Sequence, residues 1–270
     1  MSPSDAVLLG LLEGLTEFLP VSSTGHLILA SYVLGVHGTA VKAFEVVIQS
    51  GALLAVLGLY WPSVAAMARG LAGRDPDGVR LLRNILLSFI PVAAAGLLLH
   101  DVIKDELFGV RPVIAALAVG GGVMIVVDRW RRAHPVPAGA ARTLKTLTAR
   151  QAFFIGLAQC LSLWPGTSRA MVTMVAGLWC GLPPVEAARY SFLLALPTLG
   201  AATLLDLVTH GDTLWRQIGP DAVALGILTA GLTAGAAVVF LVRYLTRHGL
   251  EVFGWYRIAL AAAVWWVVSR

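Results

Sequence analysis

A pair of acidic residues, Glu13 and Glu17, stands in an otherwise apolar run near the start of the chain. One helical turn separates them, so both carboxylates share a helix face and repel each other unless a cation or a shared proton relieves the repulsion. Oxygen ligands of this kind suit Mg²⁺ or Ca²⁺. We therefore predict a divalent-cation site at Glu13 and Glu17, because the apolar neighbours disfavour the competing interpretation of a solvated helix end. A third acid, Glu45, either lines the same cavity or lies at the membrane interface.

A cluster of hydroxyl side chains follows Pro20 and ends just before a histidine; the cluster is Ser22, Ser23 and Thr24, and the histidine is His26. Ser23 shares a face with His26 if the helix resumes after the proline. A lone histidine is more often a satisfied core group, but beside acids and hydroxyls it can serve as a general acid or base. We predict Ser23 as the nucleophile, with His26 or Glu17 taking its proton, and Ser22 and Thr24 as substrate-binding or capping groups. Attack by an activated water is the alternative.

A second polar break, PGTSR at 165–169, interrupts another apolar run. A half-helix that starts there has free backbone N–H groups and forms an anion site, and Arg169 adds a planar fork for phosphate or carboxylate. An arginine reaching to the membrane interface is the alternative, but Arg169 is flanked by long apolar stretches. We predict that Arg169, Ser168 and Thr173 bind substrate. Carboxylates, hydroxyls, imidazole and arginine together favour phosphoryl transfer on a lipid phosphate.

The elements that carry these residues are those of an integral membrane protein. The 270 residues are 58% apolar and only 13% charged, whereas soluble domains average about 25% charged residues. The excess of arginine lies mainly in two loops, which indicates topology and not nucleic-acid binding. Cys160 and Cys180 lack metal-type spacing and are predicted to be buried free thiols.

Six segments are long enough to cross a bilayer; they are 41–61, 81–100, 110–128, 184–206, 220–243 and 250–269. Two further apolar regions, 4–36 and 150–182, are interrupted by the polar breaks described above. Because irregular backbone survives at membrane depth only inside protein or beside a wet cavity, both are predicted to be re-entrant hairpins.

The two halves of the chain repeat each other weakly. A shift of 146 residues places Gly10 on Gly156, Glu13 on Gln159 and Phe44 on Tyr190; with a gap of one residue, Pro20 falls on Pro165 and Ser23 on Ser168. Each copy has a hairpin and three spans, so the second copy must be inverted. The prediction is an all-α polytopic membrane protein: one membrane domain, 1–270, with six transmembrane helices plus two re-entrant hairpins in an inverted-topology repeat. Repeat 1 is 1–128, a basic cytoplasmic loop is 129–149, and repeat 2 is 150–270.

Loop charges predict the orientation. The loops at 62–83 and 129–150 are rich in arginine, which predicts that they are cytoplasmic. The other two loops are acidic and are predicted to be outside; they contain Asp101, Asp105 and Glu106, and Asp206, Asp212 and Asp221. Both termini are then outside the cell.

Two motifs also resemble a known family. The runs EGLTEFLPVSSTGH (13–26) and PGTSR, with Thr173 following, resemble the signatures of the undecaprenyl-diphosphate phosphatase family, also called bacitracin-resistance proteins. FEVVIQSG, QAFFIGLAQCLSLWPG and YSFLLALP extend the resemblance over nearly the whole chain. One departure is Ala170-Met171, where the family usually has Ser-Gly, so that any role of the extra serine is absent or dispensable here.

The resemblance implies a bacterial inner-membrane enzyme that releases the terminal phosphate of undecaprenyl diphosphate with a divalent cation, recycling the carrier lipid for peptidoglycan synthesis and conferring bacitracin resistance. The functional positions it implies are Glu13, Glu17, Ser23, His26, Ser168, Arg169 and Thr173. A lipid flippase or transporter is the competing function, because inverted repeats are a transporter architecture and fold does not fix function. The expected partners are a polyprenyl diphosphate lipid and the membrane, without nucleic acid, and a homodimer is left open.

Overall fold

The computed structural model describes residues 1–99, 109–135 and 141–269. Over those ranges the chain is helical, with twelve α-helices, one 3₁₀ turn and no strand. The helices are α1 (Pro3–Glu17), α2 (Ser23–Leu34), α3 (Thr39–Val47), α4 (Gln49–Leu59), α5 (Trp61–Leu71), α6 (Pro76–Leu98), α7 (Val110–Ala133), α8 (Ala149–Gln159), α9 (Arg169–Trp179), α10 (Pro184–Gln217), α11 (Pro220–Leu245) and α12 (Glu251–Val268). The predicted outer loop with Asp101, Asp105 and Glu106 lies outside the described residues.

Six helical segments are long and apolar enough to cross a membrane, as predicted; they are Thr39–Leu59, Pro76–Leu98, Val110–Ala133, Pro184–Gln217, Pro220–Leu245 and Glu251–Val268. The first of them comprises α3 and α4, which meet at Ile48 without leaving helical backbone angles. This count and the all-helical architecture confirm the predicted class of an all-α polytopic membrane protein with six spanning helices. The re-entrant hairpins of that class stay a prediction.

Two of the predicted loops are partly helical. The chain at 62–83 was expected to be a loop, but α5 occupies much of it, and Pro62 in its first turn favours a helix start. The span expected to end at 206 continues as α10 to Gln217. Asp206 therefore lies on a helix, where its carboxylate pairs with His210 Nδ1 one turn later at 3.0 Å, a spacing that supports the helix.

Both predicted breaks are present, each between two short helices. In the first, α1 ends at Glu17, and α2 begins at Ser23; in the second, α8 and the 3₁₀ turn Cys160–Leu163 lead to a break before α9. Helices α1 and α8, the first helix of each pair, both begin with a capping box. Ser2 and Asp5 form the first box, and Thr148 and Gln151 form the second. These caps are related by the same 146-residue shift as the repeats. Passage of the hairpins into the membrane from opposite faces stays a prediction.

Backbone geometry corrects the predicted alignment of the two breaks. Among the described non-glycine residues, only Ser22 and Ser168 have positive φ, 72° and 71°, and each immediately precedes a helix. They are 146 residues apart, so the repeats align here without a gap. Ser22 is therefore the partner of Ser168, and Ser23 corresponds to Arg169. The gap introduced to superpose the prolines was wrong, because the conformation of the residue before the helix is what the repeats share.

The two halves pack against each other in a reciprocal way. Helix α1 packs on α11, and its repeat counterpart α8 packs on α6, the counterpart of α11; α7 packs on α12, and α3 on α10. These helices can approach closely because glycines lie where they cross. A Cβ at Gly14 would collide with Thr233 and with backbone of α11, and a Cβ at Gly156 would collide with Ser88 of α6. This packing brings the two breaks together, as the Arg169–Glu17 ion pair between them shows.

Candidate active site

An ion pair joins the two hairpins. Arg169 Nη2, in the first turn of α9, donates to Glu17 Oε1 at 3.0 Å, and both side chains are only 7% exposed. The second carboxylate oxygen, Glu17 Oε2, accepts a hydrogen bond of 2.8 Å from Ser23 Oγ. Glu17, at the end of α1, thus contacts both the predicted nucleophile and the predicted phosphate-binding arginine. The structure therefore brings these three predicted residues together.

Arg169 is held on its other side by α10. Its Nη1 donates to the Ser191 carbonyl at 2.8 Å, and its guanidinium lies 5.5 Å from the centre of the Phe18 ring. Nε of Arg169 is buried and has no hydrogen-bond partner among the described residues. The fork is thereby fixed in direction, while one of its donors is left for a ligand.

Thr173, one helical turn after Arg169, supports the arginine indirectly, through a hydrogen bond to Ser191. Its Oγ1 is 2.7 Å from Ser191 Oγ and 2.8 Å from the Arg169 carbonyl. Both serine and threonine are fully buried. Sequence reasoning missed Ser191, although the repeat shift places it on Glu45 and could have singled it out.

Glu13 is the least satisfied polar group of the site. Its side chain is 0% exposed, and neither carboxylate oxygen has a hydrogen-bond partner within the described ranges. A buried carboxylate without a partner is costly, and a cation that approaches it would remove that cost. Its repeat counterpart, Gln159, is also fully buried but donates from Nε2 to Thr198 Oγ1 at 3.0 Å.

The donor set fits a hard divalent cation that shares its ligands with a substrate. In the part of the chain that the structure describes, no group of three or more His, Cys, Asp or Glu side chains is arranged to hold a metal. Mg²⁺ commonly uses only one or two carboxylates together with phosphate oxygens and water. Glu13 offers two unpartnered oxygens for this purpose, whereas the oxygens of Glu17 already accept from Ser23 and Arg169.

Contrary to the prediction, His26 does not contact Ser23. Its Nδ1 lies 2.8 Å from the Ser22 carbonyl and its Nε2 lies 2.7 Å from the Tyr256 hydroxyl, with the two rings stacked at an interplanar angle of 9°. A carbonyl can only accept, so Nδ1 carries the proton and Nε2 accepts from Tyr256. The expected contact with Ser23 is absent because the imidazole turns back to the carbonyl one helical turn before it. Tyr256 comes from the last helix, and no local sequence signal pointed to it.

The hydroxyls at the two breaks behave differently. Ser168 Oγ accepts from the Met171 N–H at 3.3 Å and caps α9. Ser22, the equivalent residue, makes no such bond to α2, and its Oγ is buried without a partner among the described groups. Thr24 lies partly buried in the first turn of α2. The first turn of α2 therefore has more free donors than that of α9, where the sequence predicted the anion site.

Glu45 is tied to the first hairpin. Its Oε1 accepts from Ser31 Oγ of α2 at 2.8 Å, and the carboxylate is half-buried. The contact joins α3 to the hairpin that carries Ser23, while a place of Glu45 in the same cavity as Glu13 stays a prediction.

Comparison with known proteins identifies the family of the chain. The family model described as bacitracin resistance protein BacA matches residues 6–263. The chain is 51% identical over 264 residues to an undecaprenyl-diphosphatase of Sorangium cellulosum, which covers 97% of this chain and 85% of that relative. It is 41% identical over 269 residues to an undecaprenyl-diphosphatase of Novosphingobium aromaticivorans, covering 98% of each. It is also 41% identical over 278 residues to one of Rhizorhabdus wittichii, covering 100% and 99%. With a match over nearly its whole length, the chain belongs to the bacitracin resistance protein BacA family.

Proposed function

We propose that this protein hydrolyses undecaprenyl diphosphate to undecaprenyl phosphate and inorganic phosphate. The observation that carries the proposal is the double contact of Glu17, which accepts from Ser23 Oγ through one oxygen and from Arg169 through the other. A hydroxyl, a carboxylate that can take its proton and a guanidinium that can hold phosphate are the groups that phosphoryl transfer requires. The names of the relatives, undecaprenyl-diphosphatase, support the same substrate.

Arg169 is proposed to bind the diphosphate by exchanging its contact with Glu17 for one with a phosphate oxygen. Its Nη2 donates to Glu17, and its buried Nε has no partner among the described residues. A phosphate that accepts from Nε and Nη2 would form a two-bond contact, which a guanidinium makes and an ammonium cannot. Glu17 would then keep Ser23 as its partner. Further contacts to the diphosphate come from Ser22, Thr24 and the free N–H groups in the first turn of α2. Ser168 and Thr173, which lie close to Arg169 along the chain, supply others.

Ser23 is proposed as the attacking group. Its Oγ forms a bond to the terminal phosphorus while the bond from that phosphorus to the bridging oxygen breaks, and undecaprenyl phosphate leaves. Glu17 takes the hydroxyl proton, since it already accepts from Ser23 at 2.8 Å. Water then attacks the phosphorus of the phosphoserine, the bond from phosphorus to Ser23 Oγ breaks, and inorganic phosphate leaves. Ser23 Oγ takes back the proton held by Glu17. Direct attack by water, with Glu17 as base, is the alternative. His26 fixes the Ser22 carbonyl and so orients the break.

A divalent cation, Mg²⁺ or Ca²⁺, is proposed to be held by Glu13 and Glu17. The two unpartnered and fully buried oxygens of Glu13 support this assignment. When bound, such an ion would neutralise charge on the diphosphate oxygens. Glu13 contributes the freer oxygens, and Glu17 would add a ligand as its contact with Arg169 loosens.

The protein is proposed to lie in the bacterial inner membrane with both termini outside, on the basis of its basic loops. There it would recycle the carrier lipid of peptidoglycan synthesis and confer bacitracin resistance. The lipid substrate and the membrane are its proposed partners. A homodimer stays an expectation, which the size of the purified protein in detergent tests.

Lipid transport is the second candidate function. The reciprocal packing of the two halves favours it, because repeats arranged in this way are common in transporters. A transporter needs charge in its cavity but has no use for a hydroxyl paired with a carboxylate. The Ser23–Glu17 hydrogen bond therefore favours the hydrolase.

Purified protein separates the two functions. We expect it to release inorganic phosphate from farnesyl diphosphate, a soluble prenyl diphosphate, and Ser23→Ala to abolish that release. If the protein moves a prenyl phosphate across the membrane of vesicles but never releases inorganic phosphate, with or without Mg²⁺ or Ca²⁺, the proposed hydrolase function is contradicted.

A further inference from the structure

Arg257, on α12, is a wholly buried arginine that none of the sequence motifs includes. Its side chain is 0% exposed, and within the described ranges it forms no ion pair with a carboxylate. Its hydrogen bonds to the described residues all go to backbone carbonyls. They join Nε to Leu117 at 3.3 Å, Nη2 to Ala116 and Gly166 at 2.9 Å each, and Nη1 to Pro20 at 3.5 Å.

Two of these carbonyls are equivalent positions of the two repeats. Pro20 and Gly166 are 146 residues apart, which is the shift that also superposes Ser22 on Ser168. Pro20 lies three residues before Ser23, and Gly166 lies three residues before Arg169. One guanidinium therefore contacts both breaks at the same point of each, and it anchors them to α7 through Ala116 and Leu117.

The fold leaves space for this guanidinium. A Cβ at Gly120 of α7 would lie 2.5 Å from Arg257 Nη2 and 2.9 Å from Met171 Cε of α9. Glycine at position 120 therefore leaves room for the guanidinium, and any larger residue there would displace Arg257 or Met171. A Cβ at Gly122, two residues further on the same helix, would meet nothing within 4 Å.

We propose that Arg257 is a positioning residue, which holds the two breaks together so that Ser23 and Arg169 face the same phosphate. The inference rests on the proposed hydrolase function. It assigns the effect to the planar fork and not to the charge alone, because several donors in fixed directions are needed to reach carbonyls on three separate elements. Within the described ranges Arg257 forms no hydrogen bond with a candidate site residue; it acts through the backbone of the breaks.

The first test compares Arg257→Lys and Arg257→Met in the full-length purified protein, with farnesyl diphosphate as substrate. Small displacements of reacting groups lower rates by as much as about 10²-fold. We expect kcat to fall by at least about tenfold in both variants, while KM changes by less than about threefold. Binding of a non-hydrolysable methylene diphosphonate analogue gives the amount of folded protein, so that a loss of fold is not counted as a loss of kcat.

The second test disturbs the guanidinium without changing it. Gly120→Ala should lower kcat in the same way, whereas Gly122→Ala should match the wild type. Because Gly120 and Arg257 act on one contact, the double variant Gly120→Ala with Arg257→Lys should lose less than the product of the two single losses. Gly120→Ala also tests the proposal if either arginine variant fails to fold.

Each outcome bears on one proposal. Wild-type protein that never releases phosphate would defeat the proposed function itself. With an active wild type, unchanged kcat in Arg257→Lys would show that the charge suffices and would overturn the role of the fork. A tenfold higher KM with unchanged kcat would make Arg257 a substrate-binding group instead. A lower unfolding temperature with unchanged kcat per folded molecule would leave it a purely structural residue, which also refutes the proposal.

Discussion

Glu17 is placed between two side chains of opposite character, the hydroxyl of Ser23 and the guanidinium of Arg169. The same carboxylate can therefore accept a proton from one neighbour and be replaced at the other by an incoming phosphate. Glu13, one turn earlier, has no partner in the described structure, and it is the proposed ligand of a cation. The two acids of the predicted pair thus have different surroundings, from which different roles follow.

The hydroxyl of Ser23 should be essential for turnover. Ser23→Ala is expected to lower kcat by more than about 10²-fold while binding of the methylene diphosphonate analogue persists, because the hydroxyl attacks phosphorus and the arginine contact is unchanged. Phosphate release measures the former and equilibrium binding the latter. Ser50→Ala is a matched control, since Ser50 Oγ donates only to a carbonyl of its own helical region, and it should retain wild-type kcat. Turnover by Ser23→Ala within tenfold of the wild type would make water the attacking group.

The two acids should differ in their response to metal. Glu13→Gln is expected to raise the concentration of Mg²⁺ or Ca²⁺ for half-maximal activity by at least about tenfold, because it removes charge from the oxygens free to bind the ion. Glu17→Gln should mainly lower kcat, by about 10²-fold or more, since it removes the proposed base. Titration of phosphate release with each cation measures both effects. The control is Glu186→Gln, at a carboxylate that pairs with Arg189 and accepts from the Leu144 N–H. Identical cation curves for Glu13→Gln and wild type would contradict the cation site.

At the scale of elements, the site depends on two helix breaks and on how closely the helices that carry them can approach their neighbours. Each break holds a serine with positive φ, a conformation unfavourable for non-glycine residues. The surrounding packing maintains it. Helix α1 lies against α11 at Gly10 and Gly14, where a side chain would collide with backbone atoms.

The close approach of α1 to α11 can be tested by size. Gly14→Val should destabilise the protein by about 1–3 kcal/mol, because the added methyl groups cannot be accommodated against Ala230 and Thr233. Gly58→Val is the matched control, since a Cβ at Gly58 meets no atom within 4 Å. Thermal unfolding of the purified proteins in detergent gives the comparison. Equal unfolding temperatures for the two variants would show that α1 can move away from α11 at little cost.

At the scale of the whole molecule, reciprocal packing places residues from both halves in one site. Helix α1 of the first half lies on α11 of the second, and α8 of the second lies on α6 of the first. Ser23 and Glu17 come from one hairpin, while Arg169 comes from the other. Neither half alone therefore contains the complete set of groups.

The orientation of the molecule can be tested by labelling. After Cys160 and Cys180 are replaced by serine, a single cysteine at Arg131 should not react with a membrane-impermeant maleimide added to intact cells, because that basic region is predicted to be cytoplasmic. A cysteine at Ser4 should react, because the N-terminus is predicted to be outside. Permeabilised cells give the total reactive fraction. External reaction at position 131 would contradict the proposed orientation.

The sequence by itself determined the class of the protein, its six spans and the two helix breaks, and it singled out most of the residues proposed for the site. Long apolar segments predict spans because of the bilayer's thickness, and polar residues inside them are costly unless they have a function. These constraints act locally along the chain, and so Glu13, Glu17, Ser23 and Arg169 could be singled out. Precise helix ends are less predictable from sequence: α5 and the last third of α10, residues 207–217, fall within the predicted loops.

Only the tertiary structure decided which of these groups touch and which unremarkable residues support them. His26 turns to Tyr256 and not to Ser23, Ser191 holds Arg169, and Arg257 contacts both breaks. Tyr256 lies 230 residues from its partner, and Arg257 lies 237 and 91 residues from the two breaks. Contacts over such separations depend on how whole helices cross and on where glycine lets them approach, and neither is encoded in the neighbourhood of a single residue.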